Sequence, residues 1–193
     1  MAFANDDLAV VTSATRPVPL EYEYSTDTLS DTLRGLVRHD KAPVYVVSYS
    51  QNGAVDLATN LLSVDLASKE QKAAVAAAIK GFTFGKGFGQ SLRKLLLHGV
   101  GVHHAGMLPL FREIVEELFT AGRIKAVFAT ETLALGINMP ARTVVLEKLV
   151  KYNGEAHVDL TPGQYTQMTG RAGRRGGRED LIGFGHISNV SNN

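Results

Sequence analysis

The residues with the clearest capacity for chemistry lie near the C-terminal end of the chain, in Gln167-Met-Thr-Gly170-Arg171-Ala-Gly173-Arg174-Arg175-Gly176. Arg171 and Arg174 stand three positions apart, and each follows a glycine, so no bulky neighbour shields the backbone from an approaching anion. A guanidinium is planar, permanently charged and able to hold two oxygens at once, which suits a phosphoryl group. In nucleoside triphosphate hydrolysis an arginine placed on the γ-phosphate stabilises the charge that develops there, with an effect of roughly 10³–10⁵ on rate. The competing reading is a flexible Gly/Arg tract, including Arg175 and Arg178, that binds RNA without specificity. Against it, Thr161-Pro-Gly-Gln164 is a capping box, and on the helix it opens Gln164, Gln167 and Arg171 share one face while Tyr165, Met168 and Ala172 share another.

Two further groups point to phosphate. Thr130 and Glu131 follow the apolar stretch IKAVFAT, and Gly136 and Asn138 lie just beyond. A hydroxyl, a glycine that permits close backbone approach and an amide that can bind a sugar hydroxyl are polar tools for a nucleotide or a nucleic-acid strand. Thr130, Thr132 and Asn138 could equally cap turns and nothing more. His103 and His104 precede Gly106 and Pro109, and Pro109 occupies the position of a first helical residue. Adjacent histidines on a strand face opposite ways and no third ligand has suitable spacing, so a metal site is not expected. One histidine is expected in the core. His104 with Gly106 could cradle a phosphate where helical amides point outward.

The elements that must position these groups alternate. Leu29, Leu33, Leu36 and Val37 have helical spacing; PVYVVSY is a strand-like apolar run from Pro43. Asn60, Leu61 and Leu62 close a short helix. Ser68 and Gln71 form a capping box that opens a helix to Lys80, GFTFGKGFG is a loop, and Ser91 to His98 is helical. VGVHH reads as a strand, Pro109 to Phe119 as a helix, and IKAVFAT, RTVVLEKLV and IGFGHIS as strands. Alternating helices and continuously apolar strands predict a three-layer α/β domain with a mainly parallel sheet, whose ligand sites lie beyond the carboxyl ends of the strands. Residues 1–27 read as a linker or a remnant of something upstream, 28–188 as the domain and 189–193 as a tail.

Bulk composition narrows the classes. The 193 residues carry 20 Lys+Arg against 19 Asp+Glu, a formal charge of +1, so any basic footprint must be local. There is no cysteine, which removes disulfides, thiolate metal sites and a cysteine nucleophile. The N-terminus has no secretory pattern and no apolar run approaches a membrane span, so a soluble, cytoplasmic protein is expected.

Gln-x-x-Gly-Arg-x-Gly-Arg resembles motif VI of superfamily 2 helicases. FATETLALGINMP at 128–140 resembles their motif V in the form used by superkiller-like DExH RNA helicases, and the stretch 102–119 resembles the segment that leads into it. RPVPLE resembles the interdomain connection of bacterial, actinobacterial-type members. The likeness covers about residues 17–187 and implies a RecA-like helicase C-terminal domain. It implies that Arg171 and Arg174 act as fingers on ATP, with Gly136, Asn138, Gln167 and Gly170 in the same nucleotide site. Asn138 faces the sugar at a position where many relatives carry aspartate. It further implies nucleic-acid contacts from Thr130 with Glu131, and from His104 with Gly106.

No Gly-x-x-x-x-Gly-Lys-Ser/Thr and no Asp-Glu-x-His occurs here, and Gly85-Lys-Gly-Phe-Gly does not replace them. Ser13-Ala14-Thr15 spells a coupling motif of first motor domains but sits in the linker. ATP and Mg²⁺ are therefore expected only together with a first RecA-like domain elsewhere in a longer protein, with further helicase domains downstream. By itself the chain is expected to be inactive as a hydrolase. RNA is the expected partner. Two alternatives stay open: the same motor half from a DNA helicase, and an inert nucleic-acid- or protein-binding module with a RecA-like fold.

Overall fold

The computed structural model describes residues 20–131, 141–169 and 181–186. Eight strands and six helices follow in the order β1 (Leu20–Ser25), α1 (Leu29–Arg38), β2 (Val44–Ser48), α2 (Gln51–Asn60), α3 (Lys69–Ala78), α4 (Phe88–Leu97), β3 (Val100–His103), α5 (Pro109–Thr120), β4 (Ala126–Thr130), β5 (Thr143–Leu146), β6 (Val150–Tyr152), β7 (His157–Asp159), α6 (Pro162–Thr169) and β8 (Leu181–His186). A 3-10 turn, Leu61–Ser63, closes α2. Six strands form one sheet in the order β1-β8-β5-β2-β4-β3, and every pairing in it is parallel. β6 and β7 form a separate antiparallel hairpin.

The central strands explain the layering. Every residue of β2, β3, β4 and β5 is buried, which requires helices over both faces of the sheet. Val46, Val102, Phe128 and Val145 have no exposed surface at all and lie in the one core that also takes in Leu33, Leu92 and Val115 from the helices. Packing is close where β3 meets its cover: a Cβ added to Gly101 would come within 2.9 Å of both Ile124 and Val115. The expected three-layer, parallel α/β architecture is the one observed.

Local signals act as their chemistry requires. Ser68 and Gln71 exchange the two bonds of a capping box at the start of α3, and Pro109 opens α5. Thr161 and Gln164 do the same for α6, with the Gln164 amide donating to Thr161 Oγ1 (3.3 Å) and the Thr161 amide to Gln164 Oε1 (3.1 Å). Three elements differ from the sequence reading. Leu20–Ser25, within the span read as linker, is a strand that pairs in parallel with β8. Helix α4 starts at Phe88, not Ser91, because Gly87 in the left-handed region (φ 69) turns the chain directly into it. RTVVLEKLV is not one strand: β5 ends at Leu146, and Val150 begins the hairpin. The hairpin turn is built by Asn153, whose Oδ1 accepts from the amides of Glu155 and Ala156, and by Gly154 at φ 108.

Candidate nucleic-acid and nucleotide interface

The carboxyl ends of the central strands converge. Ser48, the last residue of β2, is in register with Thr130, the last of β4, and His103 ends β3 opposite Ala129. Strand β2 leads directly into α2, where Ser50 caps the first turn by accepting from the Gly53 amide at 2.9 Å. Strand β3 leads through His104 and Gly106 into α5. Thr130, His104 and Gly106 are thus brought to one end of the sheet, where open parallel sheets bind their ligands.

Thr130 is 7% exposed, and its hydroxyl has no hydrogen-bond partner among the described residues. A strand-end hydroxyl that the described residues leave unengaged can donate to an outside acceptor. Glu131 behaves differently: both its oxygens accept from Lys151 Nζ, at 3.0 and 3.1 Å. Beside it, a cleft of about 260 Å³ lies between the ends of β2 and β5, lined by Ser48, Tyr49, Ser50, Gly53, Glu147 and Lys148 among others. The Tyr49 hydroxyl crosses that gap to donate to the Lys148 carbonyl at 2.6 Å, and burial, then Glu131 and Glu147, raise its pKa.

Both histidines are buried, not just the one expected in the core, and His104 lies just past the end of β3. His103 is fully buried and its Nε2 lies 2.7 Å from Glu116 Oε1 on α5, which ties the end of β3 to the helix. Burial pushes its pKa down against the pull of Glu116. His104 is 8% exposed, its Nδ1 is buried with no partner, and its pKa is lowered by burial and by His103. The Phe88 ring stands 6.1 Å from it. A Cβ at Gly106 would collide with Gln51 Oε1 and come 3.3 Å from His104 Nδ1. The glycine thus lets Gln51, the first residue of α2, lie over the turn. No sequence signal singled out Gln51, Ser48 or Lys151. The Asn153-Gly154 pair could have revealed the hairpin that carries Lys151, because Asn-Gly is a strong turn signal.

On α6, Gln167 is exposed while Met168 is 1% exposed and packs in the core, as the two-faced pattern demanded. Gly136, Asn138, Gly170, Arg171 and Arg174 lie outside the described residues. Among the described residues no group of three His, Asp or Glu could hold a metal ion, and no helix is long and apolar enough to cross a membrane.

A parallel α/β sheet with wholly buried central strands and helices packed on it defines an α/β domain of RecA-like type. Comparison with known proteins is more specific: the chain belongs to the helicase conserved C-terminal domain family, whose model matches residues 54–176, in its superkiller-like DExH form. It is 42% identical over 151 residues to mouse "Superkiller complex protein 2", covering 75% of this chain and 12% of that protein. It is 46% identical over 141 residues to the Arabidopsis thaliana "DExH-box ATP-dependent RNA helicase DExH11", covering 69% and 10%. It is also 79% identical over 84 residues to "Probable helicase HelY" of Mycobacterium tuberculosis, covering 44% and 9%. The chain therefore spans about a tenth of the length of these relatives.

Proposed function

We propose that this chain is the second motor domain of an ATP-dependent RNA helicase, completing an ATP site carried by a first RecA-like domain and gripping one strand by its phosphates. The observation that carries the reading is the meeting of Thr130, His104 and Gly106 at the carboxyl end of a parallel sheet, in a chain that continues through α6 into Gly170-Arg171-Ala-Gly-Arg174. The first group offers a hydroxyl without a partner among the described residues, a buried imidazole and a glycine turn overlain by Gln51, polar groups that read phosphate and not base edges. The second offers two guanidiniums, with Gln167 on the exposed face of the helix just before them.

In this reading ATP and Mg²⁺ are held mainly by the first domain, since its phosphate loop and acidic pair have no counterpart in these residues. Arg171 and Arg174 approach the γ-phosphate when the two domains close, with Gln167 and Gly170 shaping the same pocket, and Gly136 and Asn138 meet the nucleotide. Opening and closing then shifts Thr130 along the strand, with downstream domains in cis completing the track.

The test has two arms. The chain alone, given ATP, Mg²⁺ and single-stranded RNA, should release no phosphate above background. In the full-length protein Arg171→Ala or Arg174→Ala should lower kcat by on the order of 10³-fold with a smaller change in KM, because the contact forms mainly in the transition state. Steady turnover by the chain alone, or near wild-type kcat in either variant, would overturn the assignment. Equal stimulation by DNA and RNA would move the substrate to DNA.

A further inference from the structure

The Thr130 site holds an electrostatic conflict. Glu131 follows Thr130 directly, so any phosphate bound by that hydroxyl has a carboxylate close by. Like charges at such a distance, partly screened, weaken binding on the order of three- to tenfold. The structure contains the remedy. Lys151 Nζ donates to both oxygens of Glu131, at 3.0 and 3.1 Å, and both side chains are largely removed from solvent, 18% and 27% exposed.

Strand alternation explains why this lysine, on a hairpin otherwise turned outward, reaches the domain. Lys151 is the middle residue of β6, flanked by the exposed Val150 and Tyr152, and its register partner on β7 is Val158 between the exposed His157 and Asp159. Lys151 and Val158 therefore form the inner face of the hairpin. Of the neighbouring charges, Lys148 is set against Glu147 at 3.8 Å.

We infer that Lys151 is a positioning residue for the phosphodiester contact: it neutralises Glu131 and holds its carboxylate against the hairpin, which leaves the end of β4 acceptable to a phosphate at Thr130. The inference rests on the proposed phosphate role of Thr130. It also changes the expected part of Glu131, which acts through its lysine and does not itself touch the strand.

The test is a titration of this chain with a short labelled oligouridylate at low salt. Lys151→Gln should weaken binding about three- to tenfold, since the carboxylate is then uncompensated. Lys151→Arg keeps the charge and should bind as wild type. The decisive variant is Glu131→Gln with Lys151→Gln, which removes both charges and should restore affinity to within about twofold of wild type. A double variant as weak as Lys151→Gln would show that the lysine itself grips the strand, and would overturn the inference. So would equal losses in the Gln and Arg variants, which would mean that packing alone matters. Wild-type binding that Thr130→Val weakens but Lys151→Gln leaves unchanged would sink this inference while sparing the Thr130 reading. Absence of wild-type binding would overturn both.

Discussion

Thr130→Val separates folding from function at the proposed phosphate contact. Valine matches threonine in shape, is β-branched and suits the last position of a buried parallel strand. The hydroxyl it removes has no hydrogen-bond partner among the described residues, so no bond to them is broken. At a residue only 7% exposed, exchanging that hydroxyl for a methyl should leave stability unchanged or raise it, by no more than about 1 kcal/mol. Binding should respond in the opposite sense. A hydrogen bond to a charged group contributes about 1.5–3 kcal/mol, so losing one from hydroxyl to phosphate should weaken single-strand affinity about 10- to 150-fold. The loss should be equal for oligouridylate, oligoadenylate and a mixed sequence, because no base edge is involved. Urea denaturation gives the first quantity, and fluorescence anisotropy with the three labelled strands gives the second. Unchanged affinity, or affinity and stability falling together, would refute the assignment of this hydroxyl to phosphate.

Two further outcomes follow from burial. His103 and His104 both have folded-state pKa values below the ordinary 6.5, so below pH 6.5 the unfolded chain binds more protons and stability falls with pH. Urea midpoints should be level above pH 7 and drop between pH 6.5 and 5, by at most about 1.4 kcal/mol per pH unit for each histidine, and the paired Gln substitutions should flatten that window. Gly89→Ala should destabilise even though alanine favours a helix by about 1 kcal/mol, because the new Cβ would fall on the Phe84 backbone carbonyl and within 3.0 Å of Phe111. Overpacking of this kind costs roughly 1–3 kcal/mol, so a urea midpoint at or above wild type would show that the 82–88 loop yields freely.

The elements that were legible in the sequence carry their signals locally. Ser68 with Gln71, Thr161 with Gln164 and Pro109 mark three helix starts, and each functions as a cap or first turn. Continuous apolar runs gave β2 through β5, because strands buried on both faces need no alternation. The hairpin escaped notice for the opposite reason. Its strands are three residues each, too short for a period of two to register, and Val150 extends the apolar run of β5 in sequence though not in space. The placement of the candidate site was legible in part. Thr130, His104 and Gly106 were placed by their position after strands, but Gln51 over Gly106 and Lys151 on Glu131 depend on which elements become neighbours. His103 was expected in the core, yet its tie to Glu116 follows from how α5 packs back on β3, which no local pattern encodes.

The pairing of β1 with β8 joins strands drawn from nearly opposite ends of the described chain. Within this segment β1 leaves the ribosome before the other described strands and β8 after them, so while the residues between are made the backbone groups of β1 have no β8 to meet. The inner sheet, β5-β2-β4-β3, can assemble earlier, since all four strands are complete before α6 is made. Fixing β1 on β8 closes the longest loop among the described strand pairings, an entropically slow step. Until β8 is made β1 lacks its one partner among the described strands, and afterwards it remains the edge of the sheet, so the order of manufacture sets how long its inner flank as well as its outer one stays exposed.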